Sequence, residues 1–402
     1  MFEIKPMLSA LWRNKISALL IAVQIALTLA IVSNSVTIIQ ERQHMIDRPT
    51  GIDVENLIGI TFMPVPTDYD MAGAVVADLD LLRSMPGVID ASVTNQLPLS
   101  GSGSASGYFL EPNQEIGDFT ANYYHTDPHF INTLGMKLVA GRNFREDEMK
   151  IVGAHDIHNA DVAIVTQEFA ERAFPEESAL GKYLYSGRDD HPTKIIGIVE
   201  RHLGAWPSWN LAGNVVFNPA LITGNHKRYL VRTEPGQRDA IFKQLEDKLA
   251  ERDPQRVIHV ETTEENKRQS YSGDNLMIKM LSVVVGLLTF IVALGIVGLT
   301  TFWINQRTKQ IGIRRALGAS RSNISRYFLV ENSIIAVTGL TLGGTAALII
   351  NEAIANNFSQ PPLSLSLLIG CAIVLLVVSL TAALMPALRA ANISPATATR
   401  SV

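Results

Sequence analysis

The 402-residue chain is 47% hydrophobic with a mean hydropathy of +0.17, too apolar for an ordinary soluble protein and too polar for a chain that is mostly membrane. Its net charge of −4 gives no electrostatic footprint for nucleic acid. The single cysteine, Cys371, sits in an apolar run, which excludes an intrachain disulfide and a cysteine-based metal cluster.

Residues 1–15 end in Arg13 and Lys15 and offer Phe2, Ile4, Met7, Leu8, Leu11 and Trp12 for one face. This pattern predicts a cytoplasmic amphipathic segment lying on the inner leaflet. Residues 16–39 carry no charge and exceed the ~20 residues needed to cross the hydrocarbon. The run is too long for a signal peptide and no small-residue cleavage site follows it, so it reads as a retained transmembrane helix. Ala18, Ala22, Ala26 and Ala30 recur every fourth residue, a stripe of small side chains suited to close helix packing in lipid.

Residues 40–280 have globular composition and hold most of the acidic residues. Strand, helix and strand are expected at 56–62, 69–84 and 88–94, and the same order returns at 229–233, 237–252 and 256–261. These two βαβ units flank a glycine-rich section of short strands, about 98–225, read as an insert. SGSGSASG at 100–107 reads as a flexible entry to it. The expected fold class is therefore an integral membrane α-helical protein with an extracytoplasmic α+β domain. That domain combines a split βαβ part with an inserted β-rich part.

Chemistry is hard to place on this chain. The pattern G-x-x-x-x-G-K-[ST] does not occur, nor does H-E-x-x-H. His125, Asp127 and His129, and His155, Asp156 and His158 with Asp161, have spacings common in polar loops and are read as loop residues. Gly135, Gly141, Arg142 and Phe144 are read as fold residues. No catalytic residue, metal ligand or bound cofactor is expected.

Three further uncharged runs follow, 281–304, 332–350 and 363–388, giving transmembrane helices at 281–304, 329–350 and 363–388, the second of them entered through Glu331. Gly339 and Gly343 form a G-x-x-x-G pair in the third of the four spans. The link 351–362 has one acid and no base, whereas the loop 305–328 carries Arg307, Lys309, Arg314, Arg315, Arg321 and Arg326 and no acid. Basic loops stay inside, so this loop, the N-terminus and the tail 389–402 are expected in the cytoplasm and residues 40–280 outside. Four spans are too few to enclose a path, which implies a dimer. They also lack the buried acids of an ion-coupled carrier, so energy must come from elsewhere.

Within the loop, Arg314, Arg315 and Arg321 suit pairing with acids on a partner. Ile311, Ile313, Ala316 and Leu317 suit an apolar ridge, and Gly318 a helix end. The residues alone leave two readings open: a docking element, or a topology signal held by anionic membrane lipid.

INQRTKQIGIRRALGASRSNISRYFLVEN at 304–332 resembles the cytoplasmic loop of the MacB/FtsX-like permeases, membrane subunits of the type VII class of ABC transporters. LWRNKISALL resembles their entry to the first span. YHTDPHFINTLGMKLVAGRNFREDE and VAIVTQEFAERAFPEESALGKYL resemble the MacB-type periplasmic core. ALMPALRAANISPATATR resembles the family's C-terminal end, with Leu388 and Thr399 departing from its pattern.

The resemblance implies that residues 40–280 are a periplasmic core domain, with a porter-like split part and a sabre-like insert. It implies that Ile311, Ile313, Arg314, Arg315, Ala316, Leu317, Gly318 and Arg321 couple to a separate ABC ATPase subunit holding the ATP and magnesium. It also implies a second permease copy or a paralogue, a bacterial inner membrane location, and mechanotransmission of ATP hydrolysis to the periplasmic side. A periplasmic adaptor is a further candidate partner. The work done would be efflux or extrusion of a peptide, drug or lipid-linked substrate. FtsX-like regulation of a cell-wall hydrolase and Lol-like release of lipoproteins are the alternatives.

Overall fold

A computed structural model describes residues 15–66, 68–112, 114, 117–153, 159–186, 191–358 and 362–393. All but Lys15 of the expected amphipathic segment, the His155–Asp156–His158 group and Thr399 lie outside them. The chain divides into two compact units, Met45–Asp274 on the one hand and Met1–His44 with Asn275–Val402 on the other.

After helix α1 (Lys15–Asp47) come β1 (Leu57–Pro64), α2 (Met71–Ser84) and β2 (Val88–Thr94). Asp70 caps α2, its Oδ1 accepting from the Gly73 amide at 3.0 Å. The section 98–225 contributes β3 (Ala105–Phe109), β4 (Phe119–Thr126), α3 (Phe130–Leu134), β5 (Leu138–Gly141) and β6 (Lys150–Val152). It continues with β7 (Val162–Thr166), α4 (Gln167–Ala173), β8 (Tyr183–Ser186), β9 (Thr193–Val199) and β10 (Val215–Ile222). Then follow β11 (Lys227–Thr233), α5 (Arg238–Arg252), β12 (Arg256–Thr262) and α6 (Thr263–Ser270).

The two βαβ units interleave. Their strands lie in the order β12-β1-β11-β2 with every neighbour antiparallel, the split arrangement of ferredoxin-like folds. Helices α2 and α5 cover one face, where Val75, Leu82 and Leu245 pack on Phe62 and Tyr229. Asp78 of α2 is buried there against Arg256 of β12. Arg256 Nη2 donates to Asp78 Oδ1 at 2.9 Å and to the Leu249 carbonyl at 3.0 Å, and Tyr229 Oη donates to Asp78 Oδ2 at 2.8 Å.

The insert shares its sheet and core with the split part. Thr94 of β2 pairs with Thr126 of β4, and β4 pairs in parallel with β10. Leu57 of β1 and Leu230 of β11 lie in one apolar cluster with Tyr124, Phe130, Phe144 and Phe217 of the insert. Gly135 ends α3 at φ 67°, a left-handed conformation that glycine adopts without strain.

The flexible entry expected at 100–107 is instead ordered. Gly101 N donates to Ala205 O at 2.8 Å, Ser104 N donates to the Gln96 side chain, and Ala105–Gly107 already belong to β3. Small residues serve close packing here: a Cβ on Gly103 would collide with Ala205.

The other unit contains α7 (Ser272–Gln306), α8 (Thr308–Ala316), α9 (Arg321–Phe358) and α10 (Leu365–Ala391). Among the described residues α1, α7, α9 and α10 are the four helices long and apolar enough to span a membrane. They run past the apolar segments read from sequence, to 33, 35, 38 and 27 residues.

The small residues meet. A Cβ on Gly339 would lie 2.7 Å from the Ala22 carbonyl oxygen, and one on Gly343 2.7 Å from that of Ala26. Backbones so close exclude any larger side chain. Ala18 and Ala30 flank this contact, each packed in its own apolar cluster.

Polar ties cross the same bundle. Asn34 Nδ2 donates to Ala347 O at 3.2 Å, Asn351 Nδ2 to Asn34 Oδ1 at 3.1 Å, and Leu363 N to Asn351 Oδ1 at 2.7 Å. Gln24 Nε2 donates to Ile291 O at 3.0 Å.

Candidate coupling site

The basic loop folds as a capped hairpin of helices. The break after α7 falls at Arg307 (φ −104°, ψ 11°), whose amide still donates to Trp303 O and Ile304 O. At the other end of α8, Gly318 N donates to Arg315 O at 3.2 Å and Ala319 N to Arg314 O at 3.0 Å. This pair of bonds is a Schellman motif, and Gly318 takes the left-handed position it requires, at φ 97°. Ser320 then caps α9, its Oγ accepting from Asn323 N at 3.1 Å.

Helical spacing gives α8 two faces. Arg307, Gln310, Ile311 and Arg314 lie on the face turned to α9. Lys309, Ile313 and Ala316 lie on the opposite face, with Leu317 beyond it. Ile311 is only 4% exposed and packs with Ile304, Ile324, Phe328 and Ala387. This corrects the expectation of a four-residue ridge: Ile311 anchors the helix to its own chain and is withdrawn from any partner. Ile313 is 47% and Leu317 83% exposed, and Ala316 is exposed beside them.

The arginines divide in the same way. Arg314 stacks on the ring of Tyr327, 5.0 Å from its centre, and Arg315 Nη1 donates to Ala319 O at 3.1 Å. Arg321 is exposed at the start of α9.

Three residues that the sequence reading left without a role complete the site. Glu331 is fully buried, and both its oxygens accept from Arg307 Nη1, at 3.0 and 3.1 Å. A buried carboxylate is retained only when paired, so this bond ties the end of α7 to α9. Tyr327 lies one turn before Glu331 and presents its ring to Arg314. Gln310 lines a small cavity with them. Glu331 had a signal in the sequence, as the lone acid between a basic loop and an apolar run. Tyr327 and Gln310 had none.

Among the described residues no group of three or more His, Cys, Asp or Glu side chains is placed to hold a metal ion. Asp127 and His129 are instead tied into the Met45–Asp274 unit. His129 Nδ1 lies 2.9 Å from Asp90 Oδ1, and Asp127 accepts from Arg83 Nη2 at 3.0 Å and from Ser92 Oγ at 2.5 Å. Burial pushes the Asp127 carboxyl up, against the pull of Ser92 and Arg83.

Two family models match the chain. The model of the MacB-like periplasmic core domain covers residues 16–248, more than half of it, and that of the FtsX-like permease C-terminal covers 282–395. The macrolide export ATP-binding/permease protein MacB of Neisseria meningitidis is 25% identical over 317 residues, 75% of this chain and 46% of that protein. The MacB of Mannheimia succiniciproducens is 26% identical over 252 residues, 61% and 38% of the two chains.

The chain thus spans about half the length of the curated relatives it matches. Among solved structures, the periplasmic region of MacB from Actinobacillus actinomycetemcomitans aligns at 15% identity and a TM-score of 0.35, covering 55% of this chain and 94% of that one. With four long apolar helices and a mixed α/β periplasmic domain, the chain belongs to the MacB/FtsX-like permease family, as a multi-pass membrane permease of the MacB-type ABC transporter class.

Proposed function

We propose that this permease converts ATP hydrolysis by an ABC ATPase subunit into movement of its periplasmic domain, and so drives extrusion of a substrate from the periplasmic side. The observation that carries this reading is the outward face of α8. Ile313, Ala316 and Leu317 are exposed beside Lys309, Arg315 and Arg321, on a helix fixed to its own chain by Ile311 and the Arg307–Glu331 pair. An exposed apolar ridge with a cationic rim suits a partner cleft: the ridge supplies affinity, and the rim supplies docking rate and register.

ATP and magnesium would belong to the ATPase, since this sequence contains no phosphate-binding loop. The permease would work as a dimer, with a second copy or a paralogue, in a bacterial inner membrane. Docking at α8 would tilt the long helices, and the tilt would reach the periplasmic domain. A peptide, drug or lipid-linked molecule is the substrate class in view.

Leu317→Asp tests the reading. Leu317 is 83% exposed, so the change leaves the fold intact and charges only the ridge. Burying one leucine is worth about 1.5–3 kcal/mol, so the variant should lose about tenfold or more in affinity for the ATPase. The expected result is a membrane-inserted permease with which the ATPase no longer co-purifies. Unchanged co-purification with undiminished ATP turnover would remove α8 from the coupling role.

A further inference from the structure

The inward face of α8 carries a feature that docking does not use. Between α8 and α9 lies a cavity of about 110 Å³. Arg307, Gln310, Arg314 and Tyr327 supply its polar wall, and Ile324 and Phe328 its apolar floor. The wall is rich in donors. Arg307 spends Nη1 on Glu331, whereas the Arg314 guanidinium lies over the Tyr327 ring, its Cζ 5.0 Å from the ring centre. A guanidinium held over a ring keeps N–H donors available for a phosphate or carboxylate. Among the described residues Arg314 has no carboxylate partner within salt-bridge distance, so the two arginines and the one acid leave the site with one positive charge.

Position narrows the ligand. Arg307 directly follows the apolar run of α7, and Tyr327 stands four residues before Glu331, where the apolar run of α9 begins. The cavity therefore lies at the cytoplasmic boundary of two spans, where headgroup phosphates of an anionic leaflet are found. A floor of Ile324 and Phe328 suits the glycerol side of such a group, and the two arginines suit its phosphate.

We propose that this cavity is a phosphate-binding site, filled by the phosphodiester headgroup of an anionic inner-leaflet lipid or by a free phosphate. The occupant would brace α8 against α9 from the inside and leave the outward ridge to the ATPase.

Delipidated full-length protein in detergent would be titrated separately with phosphatidylglycerol, phosphatidylcholine and inorganic phosphate, with bound adducts counted by native mass spectrometry. Phosphatidylglycerol should bind about tenfold more tightly than phosphatidylcholine. Arg314→Ala should abolish that preference, since a charged hydrogen-bonding partner is lost. Gln310→Ala, which leaves every buried pair in place, should weaken binding about threefold. Arg389→Ala removes a cation from the exposed end of α10 outside the cavity and should change nothing.

Binding of inorganic phosphate that Arg314→Ala abolishes would also support the site and would name free phosphate as its source. Equal affinity for the two lipids without phosphate binding, or binding that survives both Arg314→Ala and Gln310→Ala, would overturn the proposal. No arm of the experiment needs an ATPase, so failure here is separable from failure at the Leu317 ridge.

Discussion

Among the described residues the largest fully buried side chains of the periplasmic unit are aromatic, Tyr124, Tyr229, Tyr271, Phe62, Phe130, Phe169 and Phe217, against Trp303 in the membrane unit. In the membrane unit Ala22 and Ala26 of α1 lie backbone to backbone against Gly339 and Gly343 of α9, with amide side chains bridging helices beside them. The contrast follows from the surroundings. Water drives large apolar groups together, because each fully buried Phe or Leu gains about 1.5–3 kcal/mol over exposure. Lipid gives no such drive between helices, so close backbones and interhelical hydrogen bonds hold them. Buried charge appears in both units, as Asp78–Arg256 and Arg307–Glu331, each pair tying elements distant in sequence.

Substitutions can break this contrast. The largest effect is expected from Asp78→Ala, which strands Arg256 in a dry core and should cost the periplasmic unit about 3–5 kcal/mol. Replacing Asp78 and Arg256 together by Leu and Met should restore most of that loss, as measured by urea unfolding of the full chain. If the double variant is as weak as the single one, the Tyr229 and Leu249 bonds, and not the stranded charge, set the cost.

Next comes Gly343→Val. It should lower the stability of the helix bundle by about 1–3 kcal/mol, because its Cβ meets the Ala26 backbone. Gly286→Ala, where nothing lies within 4 Å of the added Cβ, should leave the thermal stability of the detergent-solubilised protein unchanged.

A pH dependence should come from the periplasmic unit. His202 is fully buried among the rings of Tyr124, Phe130 and Phe217, and among the described residues neither ring nitrogen has a partner. Burial pulls its pKa down to about 3 from the usual 6.5. The folded state therefore resists protonation that the unfolded chain accepts. Stability is fully present above pH 6.5 and is lost as pH falls toward 3, by about 2 kcal/mol at pH 5. His202→Phe should flatten this part of the stability–pH curve, and an unchanged curve would place the acid sensitivity elsewhere.

The smallest effect is expected from Asn34→Leu, about 0.6 kcal/mol, because hydrogen bonds between membrane helices are worth little on average. A much larger loss would mark the Asn34–Asn351–Leu363 chain as the main tie between α1, α9 and α10.

The apolar runs, the charge of their connecting loops and the two βαβ patterns could be read along the chain, because helix length, strand period and topology depend on neighbouring residues. The split sheet and the long helices follow those patterns. The interleaved strand order did not appear in the pattern, since β1 pairs with β11 and β12 from the other end of the unit. Nor did the order within 100–107, where a glycine-rich stretch looks flexible until its neighbours Gln96 and Ala205 are in place.

At the basic loop 305–328, the sequence by itself showed its charge and the glycine that ends its helix. Tertiary packing decided which way each residue faces. Ile311 and Ile313 are two positions apart and chemically alike, yet one is buried against Phe328 and the other lies open. Arg314 and Arg315 are adjacent and identical, yet among the described residues Arg314 lies over a ring and Arg315 bonds the Ala319 carbonyl. A helical repeat states which residues share a face. Only the position of α9, set by the Arg307–Glu331 pair and the apolar cluster beneath it, decides which face is inside.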